Sequence, residues 1–315
     1  GLSVGEGDFE KAMQEQRKRS KGKLGLSDQV SVPAELVSDL AKTQFVGYGS
    51  LTAVTTVAAI IKDGARSTEL EDGGEALLAL ESTPFYAAGG GQESDMGVLG
   101  LLGPGGQDLE GGKPLAKVVG VERGPNGVYL HRAVAVAEGI MVGQTVVARV
   151  DFRRRQGLQQ HHTATHLIHR ALQAVLGEHA QQAGSLVQDS RLRFDFTHFR
   201  ALTAQELERV EDLVNDVVMA DLPVTWSEMP LEEARKQGAM ALFGEKYGEK
   251  VRVVDVQGYS KELCGGTHVA RTGQIGQVRI LSETAVAAGV RRIEAVAGMA
   301  ALETARNDAR TLSDT

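Results

Sequence analysis

Two short runs carry His and Cys at spacings that suit metal chemistry. The first is His162-Thr163-Ala164-Thr165-His166 and the second is Cys264-Gly265-Gly266-Thr267-His268. Residues four apart on a helix share a face one turn apart, so the imidazoles of His162 and His166 can reach one ion. Taken alone this is a weak signal, because such pairs also serve as surface or packing. The second run strengthens it. Thiolate and imidazole are borderline-soft donors that suit zinc, and the paired glycines let the backbone fold tightly. Cys264 is also the only cysteine in the chain. His162, His166, Cys264 and His268 together have the type and number for one tetrahedral Zn2+. The alternative is two unrelated clusters that never meet. His169, near the same helix face, is a rival ligand or an orienting group. His161 lies on a different face and is expected to be solvent-exposed.

Two enzyme classes can be weighed on these residues. A helical zinc protease needs Glu directly after its first histidine as general base, and Thr163 stands there. A Cys264–His268 nucleophile pair conflicts with zinc ligation, because a metal-bound thiolate is a poor free nucleophile.

The elements that must position these runs follow from the patterning around them. HHTATHLIHRALQAVLG reads as a helix ending at Gly177, followed by a strand, RLRFDFTHF, and a helix, TAQELERVEDLVNDVVMA, with apolar residues at helical spacing. LPVTWSEMP and VRVVDV read as strands, with LEEARKQGAMAL between them as a helix. QVRILSETAVAAG and RRIEAVAG close an α+β unit. Before it, residues 44–150 break into short β runs, and Pro125-Asn126-Gly127 marks a hairpin. A small β-barrel is the expected form. Gly89-Gly90-Gly91-Gln92 lies in a loop of that unit. It lacks the Lys-Ser/Thr and the strand–helix context of a phosphate loop, so a turn or domain-packing role is expected. Residues 8–21 read as a helix with a basic C-terminal end.

The bulk numbers set limits. At 315 residues and 42% hydrophobic content, the chain suits two compact units plus flanking helices. A net charge of −7 argues against broad non-specific nucleic-acid binding. Local basic grooves remain open at Arg153-Arg154-Arg155 and Arg291-Arg292, with solvated surface as the plain alternative. A single cysteine fits a reducing compartment. With no apolar run long enough to span a membrane and no signal pattern, a cytoplasmic location with no membrane partner is expected. The chain begins at Gly1 and stops at Thr315 inside a helix-like run, so both ends are expected to be cuts in a longer protein.

The two runs resemble the signature motifs of the alanyl-tRNA synthetase editing domain, shared with freestanding alanyl-tRNA editing proteins and related to the threonyl-tRNA synthetase editing domain. The likeness extends to Gln182-Ala-Gly-Ser185-Leu186, Arg191–Phe196, Arg291–Ala295, the barrel loop from Phe85-Tyr86 through Gln92 to Gly97, and the opening Phe9–Arg17. Ala87 and Ala88 depart slightly from the usual loop sequence. The resemblance implies four units. Residues 1–30 would be a helix from the end of the tRNA-recognition region and 31–151 a β-barrel domain. Residues 152–298 would be the editing domain and 299–315 the start of a C-terminal helix.

It also implies hydrolysis of mischarged Ser-tRNA(Ala) and Gly-tRNA(Ala), with the tRNA(Ala) acceptor end and the rest of the synthetase as partners. ATP and Mg2+ would belong only to the parent's catalytic domain, which lies outside this stretch. Thr165 and Gln182 would border the aminoacyl pocket, a local helix or turn hydrogen bond being the alternative for each. Arg291 and Arg292 are candidates to meet phosphate near the acceptor end. Four protein ligands describe a closed zinc site, whereas hydrolytic zinc keeps an open position. Either one ligand is loose, or the zinc mainly orders the site and the 3′-terminal adenosine.

Overall fold

Alternating burial along the strands of residues 52–150 closes them into a barrel. The structure is a computed structural model and describes residues 32–103, 113–136, 139–240 and 248–313. The helix expected over 8–21, and with it the proposed 1–30 unit and the resemblance at Phe9–Arg17, lies outside these residues. Six antiparallel strands follow the order Thr145–Val150, Gly97–Gly100, Ala116–Arg123, Tyr129–Ala135, Glu75–Leu80 and Thr52–Lys62. The last pairs back onto the first through Val147↔Val54 and its neighbours, so the sheet has no open edge there.

Apolar residues fill the inside, among them Val57, Leu78, Phe85, Leu99, Val118, Ala133 and Val146. The segment Val32–Leu40 covers part of the outside, packing Val37 on Ala59, Ile61, Leu77 and Leu130. The expected hairpin turn is present. Asn126 (φ 57°) and Gly127 (φ 75°) are both left-handed, between Ala116–Arg123 and Tyr129–Ala135.

The barrel passes into the second unit without a linker. Its last strand ends at Val150, and Asp151 caps helix α1, Phe152–Leu176, by accepting from the Arg154 amide. Such a cap contributes about 1 kcal/mol. Helix α2, Ala204–Met219, carries a Thr203/Glu206 capping box and buries Val210, Val214, Val217 and Val218 on one face. Both helices pack on an antiparallel sheet ordered Gln182–Val187, Leu192–Thr197, Val290–Ala297, Val278–Ala287. Phe194 and Phe196 are fully buried between sheet and helices, roughly 2 to 3 kcal/mol of transfer free energy apiece.

A second sheet, Val224–Pro230, Lys250–Val256 and Ser260–Leu263, leads directly into Cys264. Helix α3 is only Leu231–Lys236, shorter than the run LEEARKQGAMAL suggests, because the chain turns at Gly238 (φ 76°). Helix α4, Met299–Ser313, follows the last strand. Among the described residues, no helix is long and apolar enough to cross a membrane.

Candidate metal centre

Helix α1 supplies two of the four candidate ligands and the turn after Ser260–Leu263 supplies the others. One ligand atom from each of His162, His166, Cys264 and His268 lies within 4.8 Å of the other three. The sulfur of Cys264 stands 3.3 Å from Nε2 of His162 and 3.3 Å from Nε2 of His268. These separations match the edges of a small tetrahedron of N and S donors. Burial pushes all three imidazoles below their ordinary pKa, well below for His162 and His268, and neighbouring imidazoles and Arg252 add to the effect. Neutral imidazole is the form that ligates metal. Donor chemistry, spacing and protonation all fit zinc.

His162 and His268 are oriented from behind by hydrogen bonds on their Nδ1 atoms. The acceptor for His162 Nδ1–H is Gln92 Oε1, at 2.6 Å. Thr163 Oγ1 donates to the Gln159 carbonyl and is thereby left to accept from His268 Nδ1–H at 3.1 Å. His166 Nδ1 faces the buried Glu262 carboxylate at 3.4 Å, a loose contact. His169 shares that carboxylate through Nδ1 at 3.2 Å, so it sits behind the quartet as an orienting group and is not a fifth ligand. Burial pushes the Glu262 carboxyl up, but His166 and His169 outweigh it and hold it below its usual range.

The Cys264–His268 turn is held by its own carbonyls. Arg252 donates to the Cys264 and Gly266 carbonyls at 2.9 and 2.8 Å, and the Tyr48 hydroxyl donates to that of Gly265 at 2.6 Å. The Gly266 amide points at the Cys264 sulfur. Gly266 packs so closely on the His162 ring that a Cβ there would overlap it.

A cavity of about 290 Å3 opens beside the quartet. Thr267 and His268 line it on the metal side, with Tyr48, Trp226, Arg252 and Gln159 among its other walls. The Arg252 guanidinium lies over the rings of Tyr48 and Trp226, at 4.0 and 4.9 Å from their centres.

The remaining expected residues fall outside the quartet's contacts. Thr165 is buried and its hydroxyl donates to the His161 carbonyl one turn back. Gln182 opens its strand half-buried, donating to Ser185 Oγ at 3.1 Å. Arg291 pairs with Glu283, and Arg292 forms a fork with Asp195 at 2.7 and 2.8 Å.

Two expectations are corrected. His161 is buried, not exposed: Nδ1 donates to the Gly157 carbonyl and Nε2 accepts from the Ala297 amide. Arg153–Arg155 is not a basic groove. Arg155 is buried on Asp95, while Arg154 pairs with Glu93 and Asp189. The residues that sequence reasoning passed over are Glu262 and Arg252. Alternation gives a partial signal for Glu262, which lies two before Cys264 on a buried strand and so shares its face.

A family model for class II (A) tRNA synthetases matches residues 1–154, and one for the second additional domain of threonyl and alanyl tRNA synthetases matches residues 251–294. An alanine–tRNA ligase of Thermus thermophilus is 50% identical over 324 residues, covering 99% of this chain and 35% of its own length. Those of Desulfitobacterium hafniense and Geobacillus kaustophilus are 47% and 46% identical, over 98% and 96% of this chain and 34% and 33% of their own. The chain thus spans about a third of these relatives. Similar to them along nearly its whole length, and carrying its Cys264–His268 turn inside the second additional domain, the chain belongs to the alanyl-tRNA synthetase family.

Proposed function

We propose that this chain is the editing part of an alanyl-tRNA synthetase, hydrolysing Ser-tRNA(Ala) and Gly-tRNA(Ala) at a site holding one Zn2+. The observation that carries the proposal is the His162/His166/Cys264/His268 quartet, its two helix histidines buried, beside a cavity of about 290 Å3. On this reading residues 31–151 and 152–298 act as barrel and editing units in the cytoplasm. Ligation of alanine to tRNA(Ala) with ATP and Mg2+ is the work of the synthetase beyond this stretch.

The physical need for such a site is clear. A pocket for alanine discriminates poorly against one hydroxyl more or one methyl less, so a second, hydrolytic site is required. The reaction breaks an ester. Water adds to the acyl carbonyl, the amino acid leaves with a free carboxyl, and the 3′-terminal ribose oxygen takes the proton. The chemistry a bound Zn2+ supplies is Lewis acidity toward a carbonyl oxygen or a water.

The protein's own groups position the substrate. Trp226, about half exposed, and Arg252 offer flat surfaces on which a terminal base can stack. Gln182 can hydrogen-bond a seryl hydroxyl, and the Thr165 methyl borders the acyl group. A site built around a substrate hydroxyl rejects the analogue lacking it by orders of magnitude, which would spare Ala-tRNA(Ala) relative to Ser-tRNA(Ala); this contact does not act on Gly-tRNA(Ala), which has no hydroxyl to offer. Arg291 and Arg292 would meet phosphate only by sharing or leaving Glu283 and Asp195.

A second reading, a zinc-stabilised tRNA-binding module without hydrolysis, is favoured by the full set of four protein donors. Deacylation assays separate the two. Release of serine from Ser-tRNA(Ala) faster than alanine from Ala-tRNA(Ala) supports editing. Equal rates reject an editing pocket, and no turnover by zinc-loaded protein that still binds tRNA supports the module.

A further inference from the structure

The barrel reaches into the metal centre through one side chain. The loop Gly89–Glu93 lies against the edge of the editing sheet. The Val187 amide donates to the Gly91 carbonyl at 2.7 Å, and the Glu93 amide donates to the Val187 carbonyl at 3.0 Å. Gly91 (φ 78°) makes this approach possible, since a Cβ would run into Ser185. The loop so placed drives Gln92, 2% exposed, into the back of the quartet.

The orientation of the Gln92 amide is decided by its partners. Its Oε1 accepts from the Thr267 backbone N–H at 2.9 Å, an unambiguous donor, and its Nε2 donates to Thr267 Oγ1 at 3.0 Å. The nitrogen that faces Oε1 at 2.6 Å, His162 Nδ1, must therefore carry a hydrogen. That fixes the tautomer, leaving His162 Nε2 bare and turned toward the Cys264 sulfur. One carboxamide thus ties a ligand on α1 to the turn that supplies two more.

We infer that Gln92 is a positioning residue for the metal, through which docking of the barrel on the editing unit and metal affinity are coupled. The inference rests on the quartet being a metal site. Partners of this kind typically carry 10–100-fold in metal affinity. Coupling of this kind is reciprocal, so loading the metal must also tighten the loop.

The test uses the whole chain with Gln92→Met, which keeps the volume but donates no hydrogen bond and is only a weak acceptor. Gln92→Glu keeps both acceptor contacts. Zinc affinity is read by chelator competition and ligand geometry by the visible bands of the Co2+-substituted protein. Gln92→Met should lose about 10–100-fold in affinity with shifted bands, while Gln92→Glu should stay within about threefold of the parent. Hydrogen exchange on the unaltered protein adds a measurement that needs no variant: Zn2+ should slow the Gln92 and Glu93 amides. Parent-like affinity and bands in Gln92→Met, equal losses in both variants, or zinc-independent exchange at these amides would each overturn the inference. An unaltered protein that binds no zinc would instead remove the metal reading itself.

Discussion

Deleting the Asp95 side chain tests how the barrel is fastened to the helix that carries His162 and His166. Arg155, on the first turn of α1, has a side chain 2% exposed, and that of Asp95 is 0% exposed. Every nitrogen of the guanidinium has an acceptor. Nε reaches both Asp95 oxygens at 3.0 and 3.1 Å, Nη1 donates to the Gly47 carbonyl at 2.7 Å, and Nη2 donates to the Pro84 carbonyl and to Asp95 Oδ2. Asp95 also accepts from the Tyr86 amide at 2.6 Å.

Asp95→Ala leaves a buried cation with only carbonyl dipoles and a buried amide without its acceptor. Breaking a buried pair from one side costs about 3–5 kcal/mol, a drop of roughly 150- to 4,500-fold in the folded-to-unfolded ratio. Replacing both partners by apolar residues, Asp95→Leu with Arg155→Met, should cost less than either single change, because no charge is left behind. Urea unfolding followed by circular dichroism and by the fluorescence of Trp226, the one tryptophan, measures both. A cost below about 1 kcal/mol for Asp95→Ala, or a double variant worse than both singles, would refute the argument.

Other outcomes follow from the same geometry. Fresh protein should contain about one zinc per chain, and Cys264→Ala or His268→Ala should lose it by elemental analysis. In the barrel, His131 is fully buried between the Leu78 carbonyl and Thr83, and burial pushes its pKa down to about 4. The unfolded chain takes up this proton near 6.5, so stability from this group is complete above that value. It declines as pH falls and is gone by about pH 4, a gap worth ~3 kcal/mol. Zinc-free unfolding at several pH values should show His131→Gln with a shallower acid slope than the parent. Arg292→Ala leaves the buried Asp195 with only Arg193 at 3.6 Å, and should cost about 1–3 kcal/mol of stability. If Arg292 also meets phosphate, KM for aminoacyl-tRNA rises and the salt slope of binding falls by about one.

The sequence speaks clearly where the physics is local. His162 and His166 are four apart on a helix, Asn126-Gly127 demands a left-handed turn, and the valines of α2 recur at helical spacing. It speaks poorly where burial is decided at a distance. Arg153–Arg155 looks solvated because nothing nearby says that Asp95, 60 residues earlier, will bury the third arginine. His161 looks exposed because a helix usually keeps a wet face, yet the middle of α1 is enclosed from His161 through His169. Gln92 meets His162 across 70 residues and Thr267 across 175, and no periodicity encodes either meeting. The motifs announce the His and Cys quartet; the groups that aim it come from strands and loops whose patterns look like ordinary barrel and sheet.

The glycine pressed against the His162 ring has a genetic consequence. Any single-base missense change of a glycine codon inserts a residue with a Cβ, and a Cβ at position 266 overlaps the imidazole. No mild allele lies one step away: every missense variant at that codon displaces the ring or the turn that carries Cys264 and His268. Genetic drift at position 266 therefore has no gradual path, and a screen of all its missense alleles should return only damaged proteins.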